Sequence, residues 1–121
     1  MLFRSVFADW SAKIKDLAAC PNVHVKLGGM GMKMFGFDFH EGERPPTSEQ
    51  LAEAWRPYVE TCITAFGTKR AMFESNFPVD KGSYGYGEYW NACKRLAKGM
   101  SASEKADLFS GTASRFYRLG I

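Results

Sequence analysis

Apolar residues near the start of the chain recur every three to four positions. Val6, Phe7, Trp10, Ile14, Leu17 and Ala18 share one side of an amphipathic helix over roughly residues 5–19. "CPNV" (Cys20 to Val23) ends that period, because Pro21 cannot continue a helix and Asn22 suits a turn. "VHVKL" (Val23 to Leu27) is short and rich in β-branched residues and reads as a strand. From Gly28 to Pro46 four glycines precede His40 and no period survives, so this is a long loop, of the kind that in compact domains is usually functional or disordered. Helical spacing returns with Leu51, Ala54, Trp55, Tyr58, Val59, Cys62, Ile63 and Phe66, opened by a capping box at Thr47 and Gln50 and closed by Gly67. Pro57 lies inside that pattern and predicts a kink or break near Trp55. A second strand is expected at Arg70 to Ser75 and a third helix at Tyr86 to Lys98. A fourth opens with the capping box "SASE" (Ser101 to Glu104), and a short fifth spans Gly111 to Leu119.

This order alternates helix and strand, so the strands are expected to pair in parallel through right-handed crossovers. Both strands run into loops rich in glycine and polar residues. In α/β sheets ligands bind at the carboxyl ends of strands, so both loops would share one functional rim. The pattern shows no internal repeat and no low-complexity segment.

Composition narrows this picture. With 121 residues, 45% of them hydrophobic, the chain has material for one domain with a core. The net charge of +3 is spread among acidic residues, and "KRLAK" (Lys94 to Lys98) suits the C-terminal turn of a helix, so nucleic-acid binding is not expected. No apolar run reaches the length of a membrane span or a signal peptide. Cys20, Cys62 and Cys93 cannot all pair and form no C-x-x-C, which fits reduced thiols in a cytoplasmic protein.

Candidate chemistry gathers after the strands. "GGMG" (Gly28 to Gly31) lacks the following helix that a phosphate loop needs, and is read as a sharp exit from the strand. His24, mid-strand beside Lys26, is read as structural or solvent-facing. His40 lies in the rim loop among Asp38 and Glu41, where it is either a ligand or acid or simply a solvated loop residue. "MFESNFPVDK" (Met72 to Lys81) brings Glu74, Ser75, Asn76 and Asp80 off the second strand together. A carboxylate there can act as a base, while Asn76 can orient a carbonyl but takes no proton. A partly buried ion pair is the competing reading of Glu74. The predicted catalytic pair is Asn76 and Asp80, with His40, Glu74, Ser75 and Gly29 as substrate contacts and no metal set within the chain.

Three stretches, "NVHVKLGGMGM" (Asn22 to Met32), "RPYVETCITAFGTKRAMFESNFPVD" (Arg56 to Asp80) and "LFSGTASRFYRL" (Leu108 to Leu119), together resemble the amidohydrolase-related family of metal-dependent-hydrolase-type barrels. The resemblance runs from about Val6 to Leu119. It implies an α/β fold, a partial (β/α)8 TIM barrel comprising the last two βα units and the C-terminal helices. It also implies hydrolysis of a small lactone, ester or amide, or decarboxylation, with a divalent metal (zinc or manganese) in a full-length relative. The family's histidine ligands would lie upstream of Met1. Where the family's last strand usually ends Ser-Asp-Trp-Pro, this chain has Ser75-Asn76-Phe77-Pro78, which puts the acid/base role in doubt and makes Asp80 the substitute. Four extended residues span about 13 Å, so the chain must turn back at Pro78 for Asp80 to reach the same point.

"MLFRS" (Met1 to Ser5) matches the translated end of a common sequencing adapter and is expected to be non-native, with residues 6–121 the barrel portion. Two strands alone leave open edges, so the isolated chain is expected to be inactive. The alternatives are a small non-catalytic α/β module that binds a partner or a second copy of itself, and a subunit that completes another chain's barrel.

Overall fold

A computed structural model describes residues 2–121, with side chains from residue 5 onward. The expectation for residues 1–5 therefore falls mostly outside the described side chains, and Met1 lies outside the described residues altogether. Helix α1 (Leu2–Ala18) leads to strand β1 (Val25–Leu27), helix α2 (Ser48–Phe66) to strand β2 (Ala71–Phe73), and α3 (Tyr86–Leu96), α4 (Ala102–Ala106) and α5 (Thr112–Tyr117) follow. The strands pair in parallel with Val25 opposite Ala71, Lys26 opposite Met72 and Leu27 opposite Phe73. Both are shorter than their sequence patterns, and His24 precedes β1 rather than lying within it.

The capping box at Thr47 forms in full: the Gln50 amide donates to Thr47 Oγ1 at 3.1 Å and the Thr47 amide to Gln50 Oε1 at 2.9 Å. The expected break near Trp55 does not occur, and α2 is continuous through Pro57. Pro57 removes one amide, while its own carbonyl gains the Thr61 hydroxyl at 2.7 Å. Trp55 and Val59 on either side are buried, so tertiary packing holds the helix across the gap. Gly67, at φ 76°, closes α2 by donating its amide to the Ile63 carbonyl at 2.8 Å.

One face of the sheet makes the core. Val25, Leu27, Ala71 and Phe73 face the helices and meet Leu51, Trp55, Val59, Tyr89, Ala92 and Leu108, while Lys26 and Met72 point to the opposite face. Each large apolar side chain fully buried here contributes about 1.5–3 kcal/mol. Two polar devices join distant segments. Arg70 donates to the carbonyls of Ala18 (2.8 Å), Cys20 (2.9 Å) and Val23 (3.1 Å), capping α1 and fixing the crossing into β1 beside β2. Thr112, fully buried, donates to the Thr68 carbonyl at 2.6 Å, and Asp107 accepts from Thr68 and Arg115, so the π-helical turn Asp107–Gly111 is tied to the start of β2. Cys62 and Cys93 are buried, Cys20 is exposed, and all three are unpaired.

Candidate active site

Both strands deliver their loops to one rim. β1 ends at Leu27 and is followed by Gly28 to Gly31. β2 ends at Phe73 and is followed by Glu74, Ser75 and Asn76. Asn76 takes a left-handed backbone at φ 55°, which its short polar side chain tolerates better than most. The Phe77–Pro78 bond is cis, and a 3₁₀ turn over Val79–Gly82 follows. The chain therefore does turn back. The Asp80 amide donates to the Asn76 carbonyl at 3.0 Å, and Asn76 Nδ2 donates to Asp80 Oδ1 at 2.9 Å.

Asp80 is only 1% exposed, and both carboxylate oxygens are occupied. Oδ1 holds Asn76, while Oδ2 accepts the Gly31 amide at 3.2 Å and the Tyr84 hydroxyl at 2.5 Å. A buried carboxylate needs such donors, since an unpaired one would be prohibitively costly. Burial raises the Tyr84 phenol well above its usual value, and the Asp80 hydrogen bond raises it further, so the hydroxyl remains a donor. Ser83 Oγ returns a bond to the Gly31 carbonyl at 2.6 Å, which clamps the two rim loops together. The clamp requires glycine: a Cβ on Gly31 would fall 2.8 Å from Asp80 Cγ and 2.6 Å from Tyr84 Cε2.

Glu74 is half-buried beside the other glycines. A Cβ on Gly28 would lie 2.1 Å from Glu74 Oε1, and Gly29 sits next to Asn76 Nδ2. Ser75 Oγ accepts the Phe77 amide at 3.2 Å, so it serves its own turn. From α3, the Tyr89 hydroxyl reaches the carbonyl of Leu27 at 2.9 Å and also that of Glu74, fixing both strand ends to the helix layer. The expected residues thus divide. Gly29, Glu74, Asn76 and Asp80 form one cluster. His40, 21% exposed, lies on a separate cavity of about 660 Å³ between the rim loops, with Arg44, Phe77, Lys81, Tyr84 and Tyr86.

His40 Nε2 is 3.8 Å from Glu41 Oε1, and donor atoms of Asp38, His40 and Glu41 lie within 4.8 Å of one another. This group has a nitrogen and two carboxylates, types that suit a divalent ion, but it is an exposed loop. The rim cluster itself does not fit a metal: Asn76 offers a neutral amide, and the Asp80 oxygens are already engaged. His24 packs at a tilt of 50° against Phe116, 4.7 Å between ring centres, with Nδ1 buried and unbonded among the described residues, in keeping with a structural role. The buried thiols are poor nucleophiles, since burial pushes Cys62 up to about 11 and Cys93 up to about 12.

Sequence reasoning missed Tyr84, Ser83, Gly31 and Tyr89. The four-residue spacing Asn76–Asp80–Tyr84 was legible, but nothing in the pattern showed that a 3₁₀ reversal would stack these groups.

The family model described as amidohydrolase matches residues 4–119. The Sinorhizobium fredii protein y4mH is 44% identical over 115 residues, covering 95% of this chain and 34% of that protein. The L-fucono-1,5-lactonase of Burkholderia multivorans is 32% identical over 116 residues, covering 95% of this chain and 37% of that one. A crystal structure of an amidohydrolase from Burkholderia multivorans with bound zinc superposes with a TM-score of 0.81 at 32% identity, over 96% of this chain and 39% of the other. The two strands and their helices are part of an amidohydrolase TIM barrel, as expected. The chain spans little more than a third of the length of these relatives.

Proposed function

Because this chain belongs to the amidohydrolase family, we propose that it forms the closing part of a barrel that hydrolyses a small lactone, with a sugar 1,5-lactone of the fuconolactone type the first substrate to test. The observation that carries this reading is the clamped rim at the carboxyl ends of two parallel strands, where Glu74 and Asn76 stand together beside Gly28 and Gly29. The similarity to lactonases supports the substrate class.

In this reading water adds to the lactone carbonyl carbon, Glu74 accepts the water proton, the ring C–O bond breaks, and the departing alkoxide regains a proton to give the hydroxy acid. Asn76 orients the carbonyl or the water. Asp80 acts as a positioning residue: with both oxygens occupied it holds Asn76 and the Gly28–Gly31 turn in place. No step runs through a metal, because the rim cluster does not supply a metal set. A zinc ion in the complete barrel would draw its ligands from outside this cluster. A reducing, cytoplasmic setting suits the three unpaired thiols.

The test is a single-polypeptide chimera in which this chain replaces the corresponding segment of the Burkholderia multivorans lactonase, assayed by acid release from L-fucono-1,5-lactone. Acid release well above the spontaneous rate is expected, reduced about 100-fold or more by Glu74→Gln, as loss of a general base requires. A folded chimera inactive on this and on simpler lactones would overturn the reading. So would full activity in the Glu74→Gln variant, as far as the role of that residue is concerned.

A further inference from the structure

The loop between β1 and α2 carries a second cluster of donor groups. Residues 38–44 hold three carboxylates, Asp38, Glu41 and Glu43, and one histidine, against a single permanent cation, Arg44. This anionic segment belongs to a chain whose net charge is +3. Among the described residues no Lys or Arg pairs with Asp38 or Glu41, and the ion-pair partner of Glu41 is His40, at 3.8 Å. Across the cavity that His40 lines, the charges of Lys81 and Glu88 offset each other.

The backbone brings these donors to one side. Asp38 stands at the N-cap of the 3₁₀ turn Phe39–Glu41, in the left-handed conformation at φ 58°. The side chain of an N-cap aspartate ordinarily accepts an amide of the turn that follows. That of Asp38 does not, and only its carbonyl holds the turn, accepting the Glu41 amide at 3.0 Å. The uncommitted carboxylate lies with His40 and Glu41, one donor atom from each within 4.8 Å of the others. Two carboxylates this close repel each other unless a cation lies between them. A zinc ion with bonds of about 2.1 Å spaces tetrahedral ligand atoms about 3.4 Å apart. His40 and Glu41 are already near that spacing, and the exposed carboxylates of Asp38 and Glu41 are free to rotate onto an ion. The His40 side chain is held more firmly, only 21% exposed on the cavity wall.

We propose that Asp38, His40 and Glu41 form a binding site for a divalent transition-metal ion of the zinc type, and that the bound ion staples residues 37–46 into the wall of the cavity of about 660 Å³. The imidazole nitrogen selects such ions over magnesium and calcium, which take oxygen ligands. Three protein ligands leave a fourth position for water. The site uses none of the rim groups Glu74, Asn76 and Asp80, whose geometry does not fit a metal. It rests neither on lactone hydrolysis nor on the zinc of the solved relative, so it can fail or stand independently of both.

The experiment titrates zinc chloride into the chain in a Cys20→Ser background, which removes the exposed thiol as a competing ligand, and follows amide and imidazole signals by NMR. A saturable one-to-one response confined to residues 38–42 is expected, with the Glu41 amide exchanging about tenfold more slowly in the bound form. Magnesium in large excess should leave these signals unmoved. His40→Ala and Asp38→Asn should each weaken zinc binding by about tenfold or more, since even groups one shell further from a metal cost that much. Both positions lie on the loop outside the helices and strands, so the circular dichroism of the chain should not change. Zinc responses that are absent, that centre on His24, or that persist undiminished in either variant would overturn the proposal. So would an equal response to magnesium, which would mark the group as a diffuse acidic patch.

Discussion

The two flanks of the small sheet are finished to different degrees. On the β2 side, α3, the π-helical turn and α5 close over Ala71 and Phe73. Polar connections there are dense: Tyr89 reaches both strand ends, Thr112 bonds Thr68, and Asp107 bonds Thr68 and Arg115. On the β1 side, α1 stands off behind an apolar groove and Lys26 faces an open edge. The same chain thus carries one surface built like a core and one built like half of a core. The difference teaches that stability is distributed unequally: the closed flank holds the rim in place, and the open flank leaves an apolar groove and the Lys26 edge uncovered.

The largest effect should come from the closed flank. Trp55 is fully buried between Phe39, Tyr84 and Tyr89. Trp55→Ala should cost about 3–5 kcal/mol, a large share of the stability of a small domain. In a thermal melt this appears as a loss on the order of 15 °C or more, or as outright unfolding. A fall of only a few degrees would mean that the closed flank is not a consolidated core.

Tyr89→Phe keeps the ring and removes the hydroxyl that serves the carbonyls of Leu27 and Glu74. Leaving those groups short of a donor should cost about 1–3 kcal/mol, measured by urea unfolding. An unchanged midpoint would show that water replaces the hydroxyl and that the rim is looser than it looks.

A smaller and pH-dependent effect is expected at Asp107. Partial burial works to raise its carboxyl, but hydrogen bonds from Arg115 and Thr68 outweigh it, with the Arg115 and Lys69 charges adding to them, and the net shift is downward. A depressed folded value stabilises the fold above the ordinary carboxyl range of about 4, and the contribution is lost as pH falls through the folded value. Asp107→Asn should therefore destabilise by about 1 kcal/mol near neutral pH and by progressively less as the solution is acidified. A penalty that grows on acidification would contradict the assignment.

The smallest effect belongs to the open flank. Val6→Ser, at a half-exposed wall of the groove, should change the stability of the chain alone by no more than about 0.5 kcal/mol. A cost comparable to Tyr89→Phe would mean the groove is already filled.

Much of the closed flank was legible in the sequence. Capping boxes at Thr47 and Ser101 and the apolar stripe of α2 are local signals, and the structure follows them. The break expected at Pro57 did not appear because tertiary burial of Trp55 and Val59 overrode a local rule. The strands were overestimated, since β-branched residues flank three-residue ladders that end where the polar rim begins. At the site, pattern alone placed Glu74, Asn76 and Asp80 near the strand end but could not say how they would be arranged. That arrangement depends on a left-handed Asn76 and a 3₁₀ reversal that bring in Tyr84 and Gly31 from outside the motif. His40, equally conspicuous in sequence, lies apart from the Glu74–Asn76–Asp80 cluster, because the long loop carries it to a cavity that it shares with Phe77, Lys81 and Tyr84.

The contrast between the flanks is tested most directly by residue-resolved amide exchange of the chain alone, read by NMR at Lys26 and at its cross-strand partner Met72. Met72 donates within the ladder, while Lys26 faces the open edge. The account predicts that Met72 exchanges at least tenfold more slowly than Lys26. Equal protection at the two positions would show that the β1 edge is already paired, and would contradict the claim that this flank is open.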